Sequence, residues 1–274
     1  MLEIRDLDFA FGRKPIYRNL NLAIPSGQVV LVTGINGAGK STLLRLVAGV
    51  LKPARGTISL DPRLGRDPRA KIGFISDRLS LYESLRVDQL IRLHLSLFHV
   101  EQFDDSLIRH TRIGLRQRIK ELSIGQRTIL HLALILSPKP DLLLIDEVIH
   151  DLDAYLRRLF LDEIIRQLSE REMTVIMVNV NFHDIESLVD RVVMLRDGEI
   201  AVDESIESLK QKVKKIVSRE EQTRLPVLFQ REYSDRREYV VYPFDERSLD
   251  GVQGDVVDLN LNDIVAAFIA GEYA

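Results

Sequence analysis

The stretch QVVLVTGINGAGKST, residues 28–42, decides how this chain is read. Residues 28–34 form a continuous apolar run that ends in glycine, the pattern of a strand buried on both faces. Residues 41–50, STLLRLVAGV, carry helical spacing, with Gly49 near the predicted end. Between them, Gly34, Gly39, Lys40 and Ser41 satisfy G-x-x-x-x-G-K-[ST] in full. Glycines let successive backbone N–H groups turn inward around a phosphate, and the helix that follows adds its positive end. Lys40 is placed to reach the β- and γ-phosphates as a point charge, and the Ser41 hydroxyl to ligate Mg²⁺. Asn36, Gly37 and Thr42 complete the expected cradle.

Working outward, a strand followed by a phosphate loop calls for a second hard ligand. DLLLIDE, residues 141–147, supplies it: a buried strand ending in Asp146, with Glu147 next. Asp146 stands where Mg²⁺ would be met directly or through water. A carboxylate at Glu147 is placed to orient an attacking water. Further strands are expected at residues 56–61, 174–178 and on either side of Asp197-Gly198 in 191–201. Residues 83–136 read as mostly helical, residues 154–171 as an amphipathic helix, and a helix is expected through Leu188. Strands alternating with helices predict a largely parallel sheet covered on both faces. The alternation of Leu2, Ile4, Leu7, Phe9 and Phe11 suggests an edge strand at the start of the chain.

The 274 residues carry a net charge of −3, with 45% hydrophobic and 29% charged residues. No global basic field argues for a nucleic acid partner. The absence of cysteine excludes disulfides and cysteine-ligated metal. Neither a signal peptide nor a membrane span is expected: residues 1–12 have no apolar core, and TILHLALIL (128–136) is too short to cross a bilayer. The charged run 210–224 reads as a solvated helix and linker. Two strand-like runs and a terminal helix near 262–270 follow, a small appended unit.

ELSIGQR, residues 121–127, places Ser123 23 residues before Asp146, at the start of a helix. Alone it is a capping serine. Between the glycine loop and Asp146, it resembles the LSGGQ signature of ATP-binding-cassette (ABC) ATPases, with Ile124 in place of the first glycine. The resemblance covers residues 1 to about 205. It implies a P-loop NTPase of the ABC ATPase type: an α/β fold with a parallel-sheet core, an antiparallel β edge subdomain, a helical signature subdomain at about 78–138, and a small C-terminal α+β extension. The cassette would span 1–209, and 210–274 a linker and accessory unit. It further implies ATP and Mg²⁺ as ligands, a head-to-tail pair of cassettes, homodimeric or heterodimeric, and a transmembrane permease that holds the pair at the inner face of the cell membrane.

The same resemblance implies roles for particular residues. Ser123, Gly125 and Gln126 would meet the γ-phosphate held by the other cassette, and Asp153, in EVIHDLDA (147–154), would communicate across the pair. Phe11 falls where the family stacks an aromatic on adenine, although a core strand residue would look the same. Asp77 stands where the family usually has a glutamine and could still ligate Mg²⁺. The acid followed by LYESLRV resembles ABC-2-type exporters, in a region that receives the permease in the family. The family ends the strand that matches 174–178 in T-H-D. Counting back from Asp190-Arg191 puts Val180 at the histidine, flanked by Asn179 and Asn181. His183 takes that place only if the strand runs three residues longer.

With Glu147 kept and Val180 at the histidine position, slow but real ATP hydrolysis is expected. The alternative is an ATP-dependent clamp with negligible turnover. His150 is expected to be a solvated loop residue, the alternative being a contact with the site of the other cassette. The tail DLNLNDIVAAFIAGE (258–272) resembles the terminal segment of some exporter ATPases and would either cap the core or help hold a dimer.

Overall fold

The computed structural model describes residues 1–65, 67–76, 81–149, 152–178, 184–221, 225–245 and 254–271. Asp77, His150, Asn179, Val180, Asn181 and His183 lie outside them.

The five-residue strand β3 (Val29–Thr33) has no exposed residue, and its alternation feeds two cores. Successive side chains of a strand point to opposite faces. Val30 and Val32 join one apolar cluster, Val29 and Leu31 the other. Around β3 a six-stranded sheet is ordered β5-β6-β7-β3-β8-β9, with β5 (Ile72–Ile75), β6 (Leu142–Asp146), β7 (Thr174–Val178), β8 (Arg191–Arg196) and β9 (Glu199–Ser205). All neighbours are parallel except the β8–β9 hairpin. The ends of β3, β6 and β7 therefore emerge side by side, with Asp146 opposite Val178 in register.

On one face lie α1 (Lys40–Val47) and a three-stranded antiparallel sheet, β2 (Lys14–Ile24), β1 (Leu2–Phe11) and β4 (Arg55–Leu60). β1 is the middle strand of that sheet, not an edge. Alternation reports one buried face and says nothing of how many neighbours a strand has.

On the other face lie α4 (Ile124–Leu136) and α5 (Ala154–Glu170). The helical layer has its own core: Val87, Leu90 and Ile91 of α2 (Val87–Phe98), Ile108 of α3 (Ser106–His110), and Leu130 and Leu134 of α4. The helix expected through Leu188 is, within the described residues, only a 3₁₀ turn at Glu186–Leu188.

The C-terminal part corrects another expectation. Residues 210–224 are not only a solvated helix and linker. After α6 (Ile206–Lys212), residues Lys214–Ser218 form β10, an inner strand of a four-stranded antiparallel sheet ordered β11-β12-β10-β13. Its lysines face acidic neighbours, Lys214 with Asp258 at 2.5 Å and Lys215 with Glu238 at 3.6 Å. Ile216, the next residue of the strand, is fully buried. The sequence shows the charges, while cross-strand pairing neutralises them. β11 (Val227–Glu232), β12 (Arg237–Val241) and α7 (Leu261–Gly271) match the expected strands and terminal helix, and β13 (Asp255–Asp258) adds an edge. Leu261, Ile264, Val265 and Phe268 of α7 belong to the same apolar cluster as α4 and α5. Each such side chain contributes about 1.5–3 kcal/mol on burial.

Candidate nucleotide site

The loop between β3 and α1 bends through three left-handed glycines, Gly34 (φ 138°), Gly37 (φ 85°) and Gly39 (φ 103°). Gly34 has a second reason to be glycine: a Cβ there would lie 2.3 Å from the carbonyl oxygen of Leu195. Gly39 caps α1. Its carbonyl accepts a hydrogen bond from the Tyr17 hydroxyl at 2.6 Å, reaching in from β2. Tyr17 is fully buried, and burial pushes its phenol pKa up, because the phenolate would lose its water. Sequence reading missed this contact. The signal was present: a tyrosine in a buried strand has to place its hydroxyl on an acceptor.

Lys40 curls back over the loop. Its Nζ donates to the carbonyl oxygens of Gly34 at 2.9 Å and Ile35 at 3.1 Å. Its pKa is lowered by burial, opposed by the charges of Glu147 and Asp146. The two acids thus lie within electrostatic reach of the ammonium. Ser41, one residue on, donates from Oγ to Oδ1 of Asp146 at 2.8 Å. Asp146 is completely buried at the end of β6, and the guanidinium of Arg45 approaches its Oδ2 at 3.9 Å. Glu147 takes a left-handed backbone (φ 50°), and its N–H donates to the carbonyl of Val178 at 3.0 Å. That bond ties the acid to the end of β7. Non-glycine residues in this backbone region store strain of order 1–3 kcal/mol and gather at functional sites.

Lys40, Ser41, Asp146 and Glu147 are therefore brought together, with Thr42 buried behind them and Asn36 and Gly37 exposed at the mouth. Phe11 ends β1 with half of its surface exposed (50%), edge-on to Phe9 with ring centroids 4.9 Å apart. A core strand residue would not leave so much ring in water. The hard oxygens of Ser41 and Asp146 meet at one point beside the phosphate loop, a donor set that fits Mg²⁺. No cluster of three or more His, Asp or Glu side chains able to hold a metal occurs among the described residues. Such a sparse set suits an ion whose remaining ligands are phosphate oxygens and water.

Ser123 lies apart from these groups. It caps α4, with Oγ accepting from the Gln126 N–H at 3.2 Å, while Gln126 Oε1 accepts from the Ser123 N–H at 3.1 Å. Gln126 also donates to the Thr111 carbonyl at 3.2 Å, so its amide is engaged inside the helical layer. Gly125 is buried against Leu156 of α5, whose Cδ1 lies 2.5 Å from where a Cβ would stand. Asp153 caps α5 through the Leu156 N–H at 2.9 Å. Among the described residues, no hydrogen bond or ion pair joins Ser123 to the cradle. Ser123 is solvent-exposed beside Ile124, which is 64% exposed.

A strand-loop-helix cradle with a paired serine and aspartate at its base defines a P-loop ATPase. Similarity to known proteins carries this further. The family described as "ABC transporter" matches residues 17–150. The aliphatic sulfonates import ATP-binding protein SsuB of Albidiferax ferrireducens is 34% identical over 75% of this chain and 74% of its own. The lantibiotic transport ATP-binding protein SrtF of Streptococcus pyogenes is 29% identical over 74% of this chain and 90% of its own. A solved dimeric ATP-binding cassette in a post-hydrolysis state with ADP and Pi overlays with a TM-score of 0.62 at 23% identity, covering 75% of this chain and 99% of that one. The chain belongs to the ATP-binding subunits of ABC transporters, and it is an ATPase of that family.

Proposed function

We propose that the chain binds and hydrolyses ATP as one of two cassettes that close head to tail, and that closure drives a membrane permease working as an exporter. The observation that carries this is the Ser41–Asp146 hydrogen bond at 2.8 Å, with Lys40 within the electrostatic reach of Asp146 and Glu147. It supports a site for a phosphate-bound cation with a carboxylate at hand. Lys40 exchanges its two loop carbonyls for phosphate oxygens, a stronger charge-assisted contact. Ser41 and Asp146 would hold Mg²⁺, which would supply charge neutralisation to the phosphates. Glu147 orients the water and accepts its proton, while Phe11 stacks on the adenine.

The second cassette supplies Ser123. A helix N-terminus with a serine cap suits an anion. Ser123 is exposed at that end of α4, and Ile124 and Tyr155 nearby leave apolar surface in water. Asp153 would sit at the same junction. Asp77, if it reaches the cation, would add a third oxygen ligand.

The permease would dock on the helical layer, where α2 turns Leu93, Leu97 and Phe98 to solvent. No described helix is long and apolar enough to cross a membrane, so a partner would hold the pair at the inner face. The exporter direction rests on Asp77 with the LYESLRV run and on the tail's resemblance to exporter ATPases, whereas the SsuB relative is named for import.

The test is ATP turnover of the purified chain against a Glu147→Gln variant. A loss of about 10²–10⁴-fold is expected for removal of a proton acceptor. Equal rates would overturn the catalytic assignment of Glu147, whereas tight ATP binding without phosphate release by the unaltered chain would favour the clamp with negligible turnover.

A further inference from the structure

We propose that Glu186 is a positioning residue, through which the C-terminal unit sets the turn that follows β7 and thereby the rate of ATP turnover. This rests on the ATPase reading of the strand ends given above. Glu186 stands in the 3₁₀ turn eight residues past Val178, the residue whose carbonyl holds the backbone of Glu147.

Both carboxylate oxygens of Glu186 are committed to the C-terminal part of the chain. Oε1 pairs with Lys210 of α6 at 2.5 Å. Oε2 accepts from the backbone N–H of Leu261 at 3.2 Å, a contact spanning 75 residues of sequence. Leu261 opens α7, so the carboxylate sits at the positive end of a helix and satisfies one of its unpaired N–H groups. The residues on either side are anchored as well. Ile185 and Val189 are buried in the same apolar cluster as Leu261, Ile264 and Val265.

Asp184 pairs with Arg157 at 2.8 Å, and Arg157 also donates to the Leu152 carbonyl at 3.1 Å, one residue before Asp153. The turn is thus gripped from two sides, by α5 through Asp184 and by α6 and α7 through Glu186. Neither residue touches the cradle. Each anchors the segment 184–188 into which the chain continues from β7, and the Val178 carbonyl at the end of β7 holds the Glu147 backbone. A turn tied in this way has less freedom to leave its productive arrangement, so releasing it lowers the fraction of time the reacting groups are aligned.

The experiment uses the full chain. Turnover and hydrogen exchange are measured for Glu186→Ala, Glu186→Gln and Lys210→Met, with Glu147→Gln as the control. Glu186→Ala is expected to lower kcat about tenfold with KM for ATP within twofold, and to speed exchange in 184–189. Glu186→Gln keeps an acceptor for the Leu261 N–H and should fall in between. Lys210→Met, changed at a half-exposed side chain that does not endanger folding, should lower kcat about twofold to threefold. Wild-type kcat in both Glu186→Ala and Lys210→Met would overturn the proposal, as would unchanged exchange in 184–189. If Glu147→Gln leaves turnover unaltered, the ATPase reading fails by itself. The exchange measurement then still decides whether Glu186 holds the turn.

Discussion

The hydroxyl of Tyr17 donates to the carbonyl oxygen of Gly39 across 2.6 Å, joining the antiparallel sheet to the residue that starts α1. Removing that hydroxyl while keeping the ring leaves a carbonyl with one fewer partner in a buried place. Tyr17→Phe is expected to cost about 1–2 kcal/mol of stability, read as a lower denaturant midpoint at unchanged slope. It should also raise KM for ATP severalfold, because the loop loses a support that is independent of the nucleotide. A variant with wild-type midpoint and KM would mean that the contact does neither.

Phe11 gives the opposite pairing of effects. Half its surface is in water, and its contact with Phe9 is a single edge-on packing. Truncation to alanine should cost no more than about 1 kcal/mol. If the ring stacks on adenine, Phe11→Ala should weaken ATP binding about tenfold while the triphosphate chain alone is bound as before. Titration with ATP and with inorganic triphosphate separates the two contributions. Equal weakening for both would place Phe11 outside the base-binding surface.

At Gly34 backbone conformation and space agree. Its φ of 138° disfavours any L side chain, and a Cβ would press on the Leu195 carbonyl at 2.3 Å. The obstacle is backbone of β8, the neighbour of β3, and cannot rotate away. Gly34→Ala is therefore expected to destabilise by about 1–3 kcal/mol or more and to abolish ATP binding together with it. Gly37→Ala is the comparison. It has φ 85° but open space around the missing Cβ, so its cost is conformational alone. Similar melting temperatures for the two variants would contradict the role given to Leu195.

These contrasts indicate what was legible in the sequence. The glycine loop, Asp146 and Glu147 were readable because each is a fixed-spacing signal at the end of an apolar run. The structure sets Lys40, Ser41 and both acids side by side as that spacing implied. Tyr17 and Glu186 were not readable, since their partners lie 22 and 75 residues away, and only the fold brings them into contact. β1 looked like an edge because alternation records burial, not neighbours. β10 looked like a solvated linker because its lysines are neutralised by Glu238 and Asp258, residues the local pattern does not contain.

His131 of α4 makes a prediction in pH. Burial, aided by the charge of nearby His94 of α2, pushes its pKa down from the ordinary 6.5 to about 4. His94 is lowered in the same direction by its own burial, which a backbone contact with Leu134 partly offsets. The Nδ1 of His131 and the Nε2 of His94 are both buried without a hydrogen-bond partner. A base whose folded pKa is depressed takes up its proton more readily when unfolded. Stability is therefore whole above about pH 6.5 and declines as pH falls towards 4. The full span is of order 3 kcal/mol at most, since a tenfold difference in proton affinity between the folded and unfolded chain is worth about 1.4 kcal/mol. The loss falls on the packing of α2 against α4, the helix that Ser123 caps. Urea unfolding at pH 7.5, 5.5 and 4.5 measures the decline. His131→Leu, which cannot be protonated, should flatten it. A wild-type stability that stays level from pH 7 to 4.5 would show that the two imidazoles find room for a proton within the folded helical layer.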